Sequence, residues 1–161
     1  CFNFQRNFYS RTKHILILTS GTDNILWYAK DPKNFTYRYD DIDRIPYMAP
    51  GLVGAEKASK GKTPTDSWWH TIVSPNGKEK TGYPTQKPLG IINRIIRVHS
   101  NPGDVILDYF AGSGTTGIAA LAEGRKAILV DNNHQALEVM CKRFDANQTI
   151  FHNWDCKKPN D

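Results

Sequence analysis

The sequence predicts an α/β fold built on a mostly parallel sheet with helices on both faces, and three observations carry that reading. Residues 104–154 alternate strand-like and helix-like patterns at crossover lengths. A glycine-rich turn, Gly112-Ser113-Gly114-Thr115-Thr116-Gly117, falls where the first of those strands meets the first helix. The 161 residues are 39% hydrophobic and 23% charged, the composition of a globular chain and not of a disordered, collagen-like or disulfide-rich one. One domain over residues 1–161 is the natural count at this length, and a core forms without metal or disulfide staples.

In chain order, residues 15–18 and 24–29 are short runs rich in Ile, Leu and aromatics, read as two strands joined by a turn at Ser20-Gly21-Thr22-Asp23. Residues 35–39 alternate Phe, Thr, Tyr, Arg, Tyr, which suits an edge strand or an extended loop. Residues 40–86 carry Pro46, Pro50, Pro64, Pro75 and Pro84 with Gly51, Gly54, Gly61, Gly77 and Gly82 between them. So many breakers imply a long irregular excursion, and such excursions in compact domains are usually functional or mobile. At Lys87 the character changes. Pro88 suits the first turn of a helix, and Leu89, Ile92, Ile95, Ile96 and His99 follow at helical spacing with Arg94 and Arg97 opposite. Ser100-Asn101-Pro102-Gly103 ends that helix. Then come a buried strand at 104–108, a helix at 115–123, a strand at 125–131, a helix at 133–144 and a third strand at 149–154.

The 21 Lys and Arg against 16 Asp and Glu give a net charge of +5, unevenly spread. Residues 1–100 hold 15 basic and 8 acidic side chains, and residues 101–161 hold 6 and 8. Lys57, Lys60, Lys62, Lys78, Lys80 and Lys87 are interleaved with Trp68, Trp69, His70 and Tyr83. Such a segment either neutralises phosphates and stacks on bases or is a solvated lysine-rich loop. The Trp pair likewise faces a nucleic acid or belongs to a core strand.

Cys1, Cys141 and Cys156 are odd in number, without zinc spacing, and read as free thiols in a reducing compartment. His14, His99, His134 and His152 show no metal-ligand spacing, so no metal site is expected. Apolar runs are too short to span a bilayer and no signal pattern opens the chain, which reads as soluble and intracellular. It begins at Cys1, directly in strand-like material, as a truncated chain would.

Glycines at a strand-to-helix turn let a ligand approach the backbone, and Asp131 at the end of the next strand is placed for ribose hydroxyls; the alternative is a turn used only for packing. A dinucleotide would lay its pyrophosphate on the helix N-terminus. Asp108, ending the strand before the loop, repels a phosphate and attracts an ammonium or sulfonium cation, as in S-adenosylmethionine. No Lys follows the glycines in the P-loop position.

Asp108-Tyr109-Phe110-Ala111-Gly112-Ser113-Gly114-Thr115-Thr116, preceded by Tyr83-Pro84-Thr85-Gln86-Lys87-Pro88, resembles the cofactor-binding region of the amino-DNA methyltransferases. The motif order resembles the permuted group called beta. The resemblance extends to Asn24-Ile25-Leu26-Trp27-Tyr28-Ala29-Lys30 and Pro64-Thr65-Asp66-Ser67-Trp68, and covers most of residues 14–155. It implies a Rossmann-like S-adenosylmethionine-dependent methyltransferase fold, incomplete at the N-terminus. Residues 44–86 become a basic DNA-facing excursion, and 87–155 a cofactor-binding βαβαβ region with a preceding helix. Carried over by position, Lys87 and its backbone flank the methionine end of the cofactor. Asp108, Phe110, Ala111, Gly112, Ser113, Gly114 and Thr115 line it, and Asp131 takes the ribose. Lys57, Lys60, Lys62, Lys78 and Lys80 become the DNA contacts. Humbler roles stand beside these: a solvated Lys87, a core Phe110, and Asp131, Thr115 and Thr116 as helix caps.

The implied activity is site-specific methyl transfer from S-adenosylmethionine to an exocyclic amine of double-stranded DNA, adenine N6 favoured over cytosine N4. It proceeds on a flipped base with no covalent enzyme intermediate, in a cytoplasmic protein of prokaryotic or phage restriction-modification type. The family's catalytic motif, a polar residue followed by Pro-Pro and an aromatic, has no counterpart here, since no Pro-Pro occurs in the chain. In the permuted order that motif precedes residues 14–30. This chain alone is therefore expected to be inactive, and its expected protein partner is a second copy in a homodimer or a partner chain that supplies the missing segment. Other readings are a noncatalytic DNA- or cofactor-binding remnant or subunit, and a nucleotide-dependent oxidoreductase, which Asp108 disfavours. Loss of the leading strand implies an exposed sheet edge and apolar surface.

Overall fold

The computed structural model describes residues 2–5, 22–145, 147–152 and 156. They divide into two units, the first running to Ile72 and the second starting at Val73. In the first, β1 (Phe2–Gln5), β2 (Thr22–Ile25) and β3 (Ser67–Trp69) form a sheet in the order β2-β1-β3. β1 runs antiparallel to β2, with Phe2 opposite Ile25, and parallel to β3, with Phe4 opposite Trp68.

The strand expected at 24–29 starts earlier and stops at Ile25. Beyond it the Trp27 ring packs edge-on against Phe35, centroids 4.9 Å apart, so the chain closes on itself through the turn at Asp31 to Asn34 instead of extending the ladder. Residues 35–38 are an extended loop, not an edge strand, and lead into a 3-10 turn at Tyr39–Asp41. The strand expected at 15–18, and the start of its turn at Ser20 and Gly21, lie outside the described residues, as do Cys1 and His14.

The excursion is largely irregular but holds a 3-10 turn at Pro50–Leu52 and a short helix, α1 (Ala55–Lys60). Gly61 ends α1 at φ 69°, and a Cβ there would lie 2.9 Å from the Ile45 carbonyl oxygen. Only glycine lets the chain turn there into the bridge that Lys62 makes with Ile45. The period of β3 divides the tryptophans: Trp68 is buried at 7% exposure and Trp69 is 70% exposed.

The second unit is built on a parallel pair, β4 (Val105–Asp108) and β5 (Lys126–Leu129), in register from Val105 with Lys126 to Asp108 with Leu129. Helix α3 (Thr115–Ala122) makes the crossover and packs on both strands, α2 (Leu89–His99) lies against α3, and α4 (His134–Arg143) follows β5. Ile106 and Ala127 pack against a core of Ile96, Ala119 and Ala120, and Leu129 against Ala111, Ala136 and Met140. Two alanines at the centre of α3 let α2 approach closely.

The strand expected to be buried is half so. Val105 and Leu107 of β4, with Ile128 of β5, are exposed at 55%, 47% and 54%, because among the described residues the helices cover one sheet face. α2 starts one residue later than expected, with Pro88 in the capping position. Its apolar surface is broader than the sequence stripe, since Ile91 and Val98 are buried beside Ile96. Arg125, nearly fully buried, donates from Nε to the Ser100 hydroxyl at 3.0 Å and from Nη2 to the Ser100 carbonyl at 2.6 Å, and also binds the Glu123 carbonyl. It thereby ties the end of α2 to the entrance of β5.

Residues 149–152, the first part of the expected third strand, are not strand, and 153–154 lie outside the described residues. The βαβαβ region is thus βαβα as described. Phe151 instead packs on the cluster around Met140, folding this segment back over α4. That return brings Cys156 to Cys141 at a Cα separation of 5.6 Å, where they form a disulfide. The expectation of free thiols is corrected for this pair: their partnership is made by the fold-back, not by sequence spacing. Among the described residues no helix is long and apolar enough to cross a membrane.

Candidate functional site

The glycine loop leaves β4 at Asp108, and the carboxylate of Asp108 organises it at once. Its Oδ1 accepts the Phe110 amide at 2.9 Å and its Oδ2 accepts the Thr116 hydroxyl at 2.6 Å, joining the end of the strand to the first turn of α3. The loop turns through Gly112 at φ 52° and Gly114 at φ 75°, left-handed conformations that side chains with a Cβ disfavour. Inside the turn the Gly114 amide donates to the Ala111 carbonyl at 2.8 Å.

Asp131, just past β5, reaches the same loop. Its Oδ2 accepts the Gly112 amide at 2.7 Å and its Oδ1 accepts the Asn133 amide at 2.9 Å. Asn133 caps α4, accepting the Gln135 amide at 2.9 Å, so Asp131 is a loop ligand and not the helix cap. Thr115 and Thr116 are not caps either. Gly114 holds the N-cap position of α3 without a side-chain bond, Thr116 binds Asp108, and the Thr115 hydroxyl lies 3.1 Å from that of Ser113.

Behind the loop stands Arg143. Its Nη1 donates to the Ser113 carbonyl at 2.8 Å and lies 3.2 Å from the Thr115 hydroxyl and 3.4 Å from the Ser113 hydroxyl. Burial lowers the Arg143 pKa below its ordinary value, and the field of Glu79 opposes that effect. Packing closes the remaining sides. A Cβ on Gly112 would lie 3.0 Å from the Tyr83 ring, and one on Gly114 would meet Phe144 at 2.7 Å and Met140 at 2.9 Å. Tyr83 belongs to a segment folded by Gln86, whose Oε1 accepts the Thr81 amide and hydroxyl, each at 2.8 Å, and whose Nε2 donates to the Glu79 carbonyl at 2.6 Å.

The structure thus brings together Asp108, Ala111, Gly112, Ser113, Gly114, Thr115 and Asp131. Phe110 is 91% exposed, which removes the reading of it as core. Lys87 is exposed at the entrance to α2. The lysines of the excursion divide between the units. Lys57 and Lys60 are exposed on α1, where Lys60 pairs with Glu56 at 2.7 Å, and Lys62 forms the bridge to Ile45. Lys78 and Lys80 are exposed in the second unit, just before the segment held by Gln86. Sequence reasoning offered Thr116 only as a cap and Tyr83 only as an aromatic among the lysines, and assigned no role to Gln86 as a side chain or to Arg143. Thr116, Tyr83 and Gln86 lie inside the two motifs, but Arg143 stands 30 residues from its Ser113 partner and carries no local signal.

A family profile described as DNA methylase matches residues 3–142. The chain is 35% identical over 133 residues to DNA adenine methyltransferase YhdJ of Escherichia coli, covering 75% of this chain and 44% of that protein. It is 34% identical over 142 residues to the type II methyltransferase M.HpaI of Haemophilus parainfluenzae, covering 86% and 44%. The chain spans about half the length of the curated relatives it matches. Among solved structures, M1.HpyAVI in complex with S-adenosylmethionine superposes with a TM-score of 0.62 at 26% identity, over 88% of this chain and 59% of that one. The cytosine-N4-specific PvuII DNA methyltransferase gives a TM-score of 0.62 at 19% identity, over 92% and 51%, a likeness of fold.

Proposed function

The chain belongs to the amino-DNA methyltransferase family, with that family's α/β fold, and from this premise we propose that it carries the cofactor-binding part of an enzyme that methylates an exocyclic amine in duplex DNA. The observation that carries the proposal is the loop from Asp108 to Thr115, bonded at one end by Asp108 and in its middle by Asp131. The cofactor is S-adenosylmethionine, which supplies an electrophilic sulfonium-bound methyl group. The side chains fit it. Two carboxylates hold the loop, and the aromatic rings of Tyr109 and Phe110 stand 63% and 91% exposed beside it. At about 4 Å a carboxylate attracts a cation by about 4 kcal/mol at an effective dielectric near 20, and repels a phosphate charge by as much. That sign favours the sulfonium cofactor over a dinucleotide.

Asp108 accepts from Phe110 and Thr116 and Asp131 from Gly112 and Asn133, one bond per oxygen, which leaves further acceptor sites for an ammonium group or a ribose hydroxyl. A flat ligand stacked on one face of Phe110 gains about half of the 1.5–3 kcal/mol that full burial of such a ring is worth. Lys87 flanks the methionine end. Lys57, Lys60, Lys62, Lys78 and Lys80 draw in the DNA phosphates, and Trp69 offers a stacking surface, while Trp68 belongs to the core. Adenine N6 remains the favoured target on the resemblance of the motifs, cytosine N4 being the alternative. A second reading rests on one observation: the 161 residues contain no Pro-Pro. On that reading the chain binds cofactor and DNA without catalysing transfer, and a further segment or a different partner chain supplies the group that binds the target amine.

Calorimetric titration with S-adenosylmethionine, run beside NAD and with the Asp108→Asn and Asp108→Ala variants, tests the proposal. Saturable binding that weakens at least tenfold in the folded Asn variant is expected; binding of NAD instead would overturn it. Incubation with labelled methyl donor and duplex DNA should show no incorporation by this chain alone.

A further inference from the structure

We infer that Arg143 is a positioning residue for the cofactor loop, holding the peptide around Ser113 and Gly114 in the shape that the ligand meets. The inference deepens the cofactor reading and rests on it. Arg143 ends α4, beyond the second strand, yet a single guanidinium nitrogen contacts three oxygens of the loop: the Ser113 carbonyl at 2.8 Å, the Thr115 hydroxyl at 3.2 Å and the Ser113 hydroxyl at 3.4 Å. Ser113 and Thr115 are buried at 3% and 4% exposure, so water does not replace the donor if it is removed. The peptide it fixes leads directly into Gly114, whose φ of 75° has no side chain to stabilise it. The neighbouring residue Phe144 and its helix partner Met140 press on the same glycine, so the end of α4 sets the loop both by packing and by charge.

The other contacts on the loop act elsewhere. Asp131 binds the Gly112 amide and Asp108 the Phe110 amide, which leaves the carbonyl of Ser113 to Arg143. A lysine places one compact ammonium on a shorter stem and cannot reproduce the planar donor geometry, so Arg143→Lys is a partial substitute and Arg143→Met, which keeps much of the apolar stem, is none. Glu79 opposes the cost of burying the guanidinium, which links the clamp to the segment that Gln86 folds.

The test compares the wild-type chain with Arg143→Met, Arg143→Lys and the near-isosteric Thr115→Val by amide hydrogen exchange, urea unfolding and titration with S-adenosylmethionine. Under conditions where α2 keeps its protection, Arg143→Met should raise exchange at Gly112 and Gly114 at least tenfold and weaken the cofactor at least tenfold. Arg143→Lys should recover part of both, and Thr115→Val, which loses one of three acceptors, should show a smaller change of the same sign. Loop exchange unchanged in folded Arg143→Met, or an affinity loss matching only its unfolded fraction, would overturn the inference. If Arg143→Met does not fold, Thr115→Val and Arg143→Lys decide by the same two criteria. Failure of the wild-type chain to bind S-adenosylmethionine counts against the cofactor reading, while ligand-free exchange still judges the clamp.

Discussion

Gly114 concentrates the physics of the loop in one residue. Its φ of 75° and the approach of Phe144 and Met140 to within 2.7 and 2.9 Å of a Cβ impose two separate penalties on any replacement. Gly124 has a similar φ of 73° with nothing within 4 Å, so it carries only the first. Gly124→Ala should therefore lower stability by about 1–2 kcal/mol through backbone strain, and Gly114→Ala by about 2–4 kcal/mol through strain plus overpacking. Urea unfolding of the two variants checks the difference. The sequence already marked Gly112 and Gly114 through their spacing. It did not show that Phe110, chemically a core residue, stands in solvent, because the position of an aromatic after a strand end depends on which helix covers that end.

At the scale of elements, helices and turns were legible where the local code is strong. Pro88, the stripe from Leu89 onward and the Pro102-Gly103 stop delimit α2 to within a residue or two, and Asn133 caps α4. Elements that depend on pairing were less so: the strand at 24–29 yields to a Trp27 and Phe35 contact, and 149–152 yields to packing of Phe151 on α4. Arg125 shows the same limit, since its partners Ser100 and Arg97 lie 25 and 28 residues away. Arg125→Met should destabilise the second unit by about 2–4 kcal/mol, because the carbonyls at the end of α2 lose a buried charged donor. Thermal and urea unfolding measure the loss, and faster amide exchange should begin at the C-terminal end of α2.

For the whole molecule, charge is the property that reaches across both units. The five lysines assigned to DNA lie on both sides of the boundary at Ile72, with Lys57, Lys60 and Lys62 before it and Lys78 and Lys80 after it. If each neutralises one phosphate, the slope of log K against log salt is about −0.9 per contact. Replacing Lys78 and Lys80 by Gln should make the slope shallower by about 1.8, read by fluorescence anisotropy of labelled duplex over a salt series. An unchanged slope would assign them to the solvated surface. Val105, Leu107 and Ile128 form an exposed apolar face of the sheet in the second unit, which none of the described helices covers.

The sequence by itself determined the alternation of strand and helix from residue 104 to the end of α4, the glycine loop, the two carboxylates that flank it and the kinship with amino-DNA methyltransferases. Those properties are local, written in period, spacing and turn chemistry within a dozen residues. Only the tertiary structure decided which side of β3 each tryptophan takes, that Cys141 and Cys156 pair, and that Asp131 and Arg143 grip opposite parts of one loop across 19 and 30 residues. Such contacts join segments that meet only after α3 has crossed over and α4 has returned, and no short-range pattern encodes where that return ends.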